Sequence, residues 1–89
     1  MNTTPASIRR EASANDAARA LNAAYSTNRT ARTTGDSTDK WVSDTATTCA
    51  RLAVERFARV AGIDYAAAVA EAETLRPNVG VLTLPVHGV

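Results

Sequence analysis

Side chains that usually carry out catalysis or bind metals are scarce in this chain. His87 is the only histidine and Cys49 the only cysteine, and they fall in different predicted elements, so no familiar zinc site can be built from them. Glu71 and Glu73 lie on different faces of a predicted helix and cannot act as a carboxylate pair. No glycine-rich phosphate loop or nucleophile elbow is present. We therefore predict a protein that is not an enzyme, with no catalytic residues, cofactor, metal or small-molecule substrate.

Composition predicts one small domain with a thin core. The chain has 89 residues, nineteen of them alanine, and six of its larger apolar side chains fall in the last eleven residues. Ten basic and nine acidic residues give a net charge of +1, so a nucleic-acid partner is not indicated. No apolar run is long enough to predict a membrane span or a secretory signal. We expect a cytoplasmic protein, or one within a particle assembled in the cytoplasm.

The sequence predicts three helices, which would position the functional side chains. Apolar spacing and high alanine content predict helices over about 5–25, 38–61 and 65–75. The first could instead be two pieces broken near Ser13, but the high helix propensity of alanine favours a single helix. Gly62 follows the second helix where a left-handed C-terminal cap is needed, and Asp64 is a good N-cap for the third. The strongest periodic signal is the apolar face of the second helix, formed by Val42, Ala46, Cys49, Ala53, Phe57 and Val60 and widened by Ala50, Leu52 and Ala61. We expect Cys49 to be a small buried hydrophobe on that face.

A polar segment separates the first two predicted helices. Residues 26–38 contain one alanine and no large apolar side chain, which predicts a long loop between helices 1 and 2. Arg29 and Arg32 in this segment are candidates for contact with phosphates or carboxylates of a partner. The alternative is that both are solvated loop arginines.

The C-terminal tail is the most informative feature of the sequence. Residues 78–89 carry no formal side-chain charge and favour extended structure, so we divide the chain into a helical domain over 1–77 and an extended tail over 78–89. Leaving its large apolar side chains in water would forgo about 1.5–3 kcal/mol each. The tail can pack on its own helices, exchange with a neighbouring subunit, or add as a strand to a partner. Its candidate partner-binding residues are Val79, Val81, Leu82, Leu84 and Val86.

Trp41 lies beside the polar segment at the start of the second helix. Tryptophan is enriched at binding hot spots, which makes Trp41 a candidate partner-binding residue. It would also be the obvious side chain to cap a small core. Its neighbours do not decide between these two interpretations.

The junction of the last two helices resembles the turn of helix-turn-helix DNA-binding proteins. Phe57, Ala61, Ile63 and Ala68 occupy positions where that family packs apolar groups, and Gly62 falls in the turn. The resemblance covers about twenty residues. It implies a recognition helix from about Asp64, but no basic residue precedes Arg76 there to contact phosphates or bases.

These observations together predict an all-α fold, a small three-helix bundle with a long polar loop between helices 1 and 2 and an extended apolar tail. We expect a non-enzymatic interaction or assembly module. It would be a small subunit of a homo-oligomer, a larger complex or a phage particle, docked through its tail. The alternatives are a small helix-turn-helix regulator and an inhibitor that docks on an enzyme through Trp41 or the tail.

Overall fold

A computed structural model describes residues 5–80 as an all-α protein, as predicted. Helix α1 spans Pro5–Thr34, α2 spans Ser37–Ala61 and α3 spans Tyr65–Leu75. A 3₁₀ turn over Arg76–Asn78 follows α3. No strand occurs within the described residues. The two long helices form an antiparallel hairpin, and α3 packs against both of them, with side-chain contacts to α1 that extend from Arg10 to Tyr25.

The predicted long polar loop is wrong, because α1 continues to Thr34. Hydroxyls in this segment donate to backbone carbonyls four residues earlier, so these polar side chains are accommodated within a helix; they are Thr27, Thr30 and Thr33. The connection between α1 and α2 is therefore only two residues long, Gly35 and Asp36. Gly35 takes the left-handed conformation with φ 67°, and its N–H donates to the carbonyl of Ala31 at 3.0 Å. Asp36 then caps α2 by accepting from the Thr38 N–H at 2.7 Å.

Alanine forms most of the interior. One buried cluster surrounds Val54 and Phe57, the two largest fully buried side chains of residues 5–80, and is completed by Ala14, Ala17, Ala68 and Ala72. The second buried cluster lies along the hairpin and consists only of Ala20, Ala24, Ala46 and Ala50. Because methyl groups fill that contact, α1 and α2 approach closely there and bury little apolar area per residue.

The apolar face of α2 is rotated from the predicted one. Its buried residues are Ser43, Ala46, Ala50, Val54 and Phe57, whereas Val42, Cys49, Ala53 and Val60 are half-buried. The predicted end of α2 is confirmed: Gly62 has φ 69°, and the Ile63 N–H donates to the carbonyl of Ala58 at 3.0 Å. Asp64 caps α3 as predicted by accepting from the Ala67 N–H at 2.7 Å.

One ion pair joins α3 to α1. Arg10 Nη1 and Nη2 donate to the two carboxylate oxygens of Glu71 at 2.7 and 3.0 Å. The hydrogen bond from Arg10 lowers the pKa of Glu71. The same guanidinium lies 5.3 Å from the centre of the Phe57 ring, so it covers the core while it orients α3.

Hydropathy along the helices is low. Of the helices within residues 5–80, none combines the length and the apolar content that a membrane crossing requires.

Candidate docking surface

The predicted partner-binding residues occupy different parts of the molecule. Arg29 and Arg32 are exposed on the last third of α1, and Val79 is half-buried just after the 3₁₀ turn. Trp41 is exposed on α2, with 58% of its surface accessible, so the interpretation of Trp41 as a cap on the core is wrong. The remaining four, Val81, Leu82, Leu84 and Val86, lie outside the described residues.

Asn22 holds the chain where it enters the tail. Its side-chain amide donates to the carbonyls of Arg76 and Gly80, each at 3.2 Å, and to that of Val79 at 3.5 Å. Its Oδ1 accepts from Arg76 Nε at 2.9 Å. Asn22 is therefore a clamp that binds both backbone and side chain of the segment that leads into residues 81–89.

An aromatic ring and a carboxylate complete this clamp. The Arg76 guanidinium lies 4.1 Å from the centre of the Tyr25 ring and donates to Glu73 at 3.0 Å. The Tyr25 hydroxyl donates to the other Glu73 oxygen at 3.2 Å. Partial burial and the Glu73 carboxylate raise the pKa of Tyr25. We call Asn22, Tyr25, Glu73 and Arg76 the tail anchor.

None of the four members of the tail anchor was predicted to bind a partner; Glu73 was considered only as half of a carboxylate pair. Asn22 and Arg76 are 54 positions apart, so no local spacing signals their contact. The only available hint was an asparagine in an alanine-rich stretch of a predicted helix, where asparagine is a poor helix former.

Replacing Asn22 with alanine should release the root of the tail. The variant leaves three carbonyls without this donor, and we expect the free energy of unfolding to fall by about 1–2 kcal/mol. Urea denaturation measures that loss. Amide chemical shifts of residues 76–80 should move as the backbone is released.

The matched control is Asn15→Ala, which makes the same change on the same helix. Asn15 is half-buried and has no side-chain hydrogen bond within the described residues. Asn15→Ala should lower the free energy of unfolding by less than about 0.5 kcal/mol. Equal losses for the two variants, with unchanged shifts at 76–80, would refute the clamp role of Asn22.

A groove begins at the tail anchor and runs towards the tip of the hairpin. A cavity of about 410 Å³ is lined by Tyr25, Asn28, Arg29, Arg32, Thr33 and Arg76. A second, of about 310 Å³, shares Asn28 and Arg32 with it and reaches Gly35, Asp36, Lys40 and Asp44. Both are open to solvent. We call the joined cavities the basic groove, because four of their side chains are cationic.

The structure brings Arg29 and Arg32 together with Arg76 at the basic groove. Arg29 and Arg32 share one side of α1 because that segment is helical, and Arg76 arrives at the end of α3. Trp41 does not line either cavity. It lies on the outward face of α2, where Leu52, three helical turns later, is also exposed.

The described residues offer little support for metal binding or for DNA recognition. Within residues 5–80, no three His, Cys, Asp or Glu side chains gather as a metal site would require. The helix-turn-helix alternative stays a prediction. The exposed positions of α3 include no basic side chain; they are Tyr65, Ala66, Ala67, Ala70 and Thr74.

Comparison with known proteins adds no family to this description. No protein-family model matches the chain, and searches of curated proteins and of solved structures found no match. The function must therefore be argued from the side chains themselves.

Proposed function

We propose that this chain is a non-enzymatic interaction module, a small subunit of a larger assembly that docks on its neighbour through the tail. The neighbour is a second copy of the chain or another subunit of the assembly. The tail side chains that make the contact are Val79, Val81, Leu82, Leu84 and Val86.

The tail anchor is the observation that carries this proposal. Asn22 binds the carbonyl of Gly80, the last described residue, and thereby fixes the start of the apolar segment at one place on α1. Fixing the root lowers the conformational entropy that a nine-residue segment loses on binding. An extended apolar segment with a fixed root is suited to adding as a strand or lying in a neighbour's groove.

The thin core supports docking as well. Only Phe57 and Val54 are large and fully buried, while five large apolar side chains within residues 5–80 remain exposed. Small domains with so little buried apolar area commonly gain stability from oligomerisation. Burial of the tail against a neighbour would supply such area at about 25 cal/mol per Å².

Charges placed in the tail test the proposal directly. In the full-length double variant Leu82→Asp/Leu84→Asp, two apolar contacts become carboxylates that cannot be buried without a partner. Light scattering after size exclusion should show a defined oligomer for the unsubstituted chain and a monomer for this variant. Leu82→Val/Leu84→Val is the matched control, because it changes the same two residues and keeps both side chains apolar. It should keep the oligomer.

Two results would contradict docking of the tail on a second copy of the chain. If the unsubstituted chain is a monomer whose melting temperature the double variant leaves unchanged, residues 82 and 84 make no stabilising contact. If it is a monomer that the double variant destabilises, the tail packs on its own helices.

A further inference from the structure

The distribution of unpaired cations singles out the basic groove. All ten basic side chains lie within the described residues, and ion pairs there engage Arg10, Arg19, Arg51 and Arg76. Six remain unpaired within this part of the chain, and three of these, Arg29, Arg32 and Lys40, line the basic groove. A cluster of unpaired cations in one concave surface favours an anionic ligand.

The groove offers hydrogen-bond donors in a fixed arrangement. The buried hydroxyl of Ser43 donates to Asn28 Oδ1, which leaves the Asn28 amide group as a donor on the groove. At the end of the groove nearest the tail, Arg76 is held in place by Asn22, Tyr25 and Glu73. Guanidinium and amide donors side by side match the oxygens of carboxylates.

We propose that the basic groove binds an acidic peptide segment of a partner protein, with Arg29 and Arg32 as the principal contacts. The inference rests on the proposed function in one respect, that the chain docks on another protein. It assigns a second docking surface and an acidic partner, because the principal contacts, Arg29 and Arg32, belong neither to the tail nor to the residues that anchor it.

The groove's own charges favour an acidic peptide over other occupants. The tail of the same chain contains no Asp or Glu after Glu73, so its side chains cannot pair with these arginines. A nucleic-acid backbone would bring its phosphates close to Asp36 and Asp44, which line the part of the groove nearest the hairpin tip, and these like charges would repel each other. A peptide can place carboxylates against the arginines and a neutral or basic side chain against the two aspartates.

The test uses the full-length chain and a labelled peptide of about eight residues, with glutamate and serine in one half and serine and lysine in the other. Such a peptide spans about 25 Å when extended, longer than the groove's run along α1. Fluorescence anisotropy at about 20 mM salt should show binding that weakens as salt screens the charges. Arg29→Ala/Arg32→Ala should weaken binding about tenfold or more.

Arg56→Ala/Arg59→Ala is the matched control, because these two arginines are exposed, unpaired within the described residues and outside the groove. It should change the affinity less than about twofold. The Leu82→Asp/Leu84→Asp variant should bind the peptide normally, and Arg29→Ala/Arg32→Ala should keep its oligomeric state. Failure of the tail proposal and failure of this one are therefore distinguishable.

Three results would overturn the proposal. The first is no binding of the peptide at millimolar concentration. The second is equal weakening by the two arginine pairs, which would show diffuse charge attraction. The third is tighter binding of a single-stranded oligonucleotide of similar length through Arg29 and Arg32, which would assign the groove to nucleic acid.

Discussion

Replacing Phe57 with alanine should lower the free energy of unfolding by about 3–5 kcal/mol, the largest effect expected for any single substitution here. Phe57 is fully buried, and the small side chains around it, mostly alanine, cannot refill the space. A chain of this length has a total stability of roughly 4–13 kcal/mol, so the variant is expected to be close to unfolding. Urea denaturation followed by circular dichroism measures the change.

Leu52→Ala is the control for Phe57→Ala. It also shortens a large apolar side chain of α2, but Leu52 is 53% exposed on the outward face. We expect a loss below about 1 kcal/mol. A loss at Phe57 no larger than the loss at Leu52 would contradict a core built around the phenyl ring.

Replacing Ala46 with leucine should destabilise the hairpin by about 1–3 kcal/mol, the second large effect. Ala46 is fully buried in the alanine cluster with Ala20, Ala24 and Ala50. A leucine there must push α1 and α2 apart, because the Ala46 methyl group is fully buried where the two helices meet. Thermal denaturation measures the loss, and a lowered melting temperature is expected.

Ala70→Leu makes the same change at an exposed position of α3 and should be nearly neutral. Tolerance of leucine at Ala46 to within about 0.5 kcal/mol would show that the two long helices do not approach through methyl contacts.

Local signals in the sequence predicted most of α2 and α3. Gly62 and Asp64 carry backbone information that acts within a few residues, and both caps are confirmed. The buried face of α2 was placed slightly off because alanine and serine fill it. Ala50 was predicted on that face, but Ser43 and Val54 were not; Ser43 is a polar side chain buried by close helix approach, which a search for apolar side chains does not detect.

The end of α1 was missed for a related reason. A segment without large apolar residues is typical of a loop. In the structure, however, the small side chain of Ala31 lies close to α2, and the Ser43 hydroxyl of α2 donates to Asn28 of α1. Gly35 and Asp36 were read as loop residues, but together they end one helix and begin the next. The same error hid the fact that Arg29 and Arg32 share a helix face.

The candidate site was predicted only in part. Arg29, Arg32 and Val79 follow from charge and hydropathy along the chain. The tail anchor does not, because its contacts join residues about fifty positions apart and depend on how α3 crosses α1. Such a contact follows from the packing of whole helices, and a single sequence carries no direct trace of it.

Hydrogen exchange of the unsubstituted full-length chain tests the central claim most directly. Docking of the tail on a neighbour predicts that amides of residues 81–89 exchange slowly at high protein concentration and quickly on dilution, while the amides around Phe57 stay protected throughout. Fast exchange of the tail at every concentration would contradict docking between copies, and slow exchange at every concentration would show that the tail packs on its own helices.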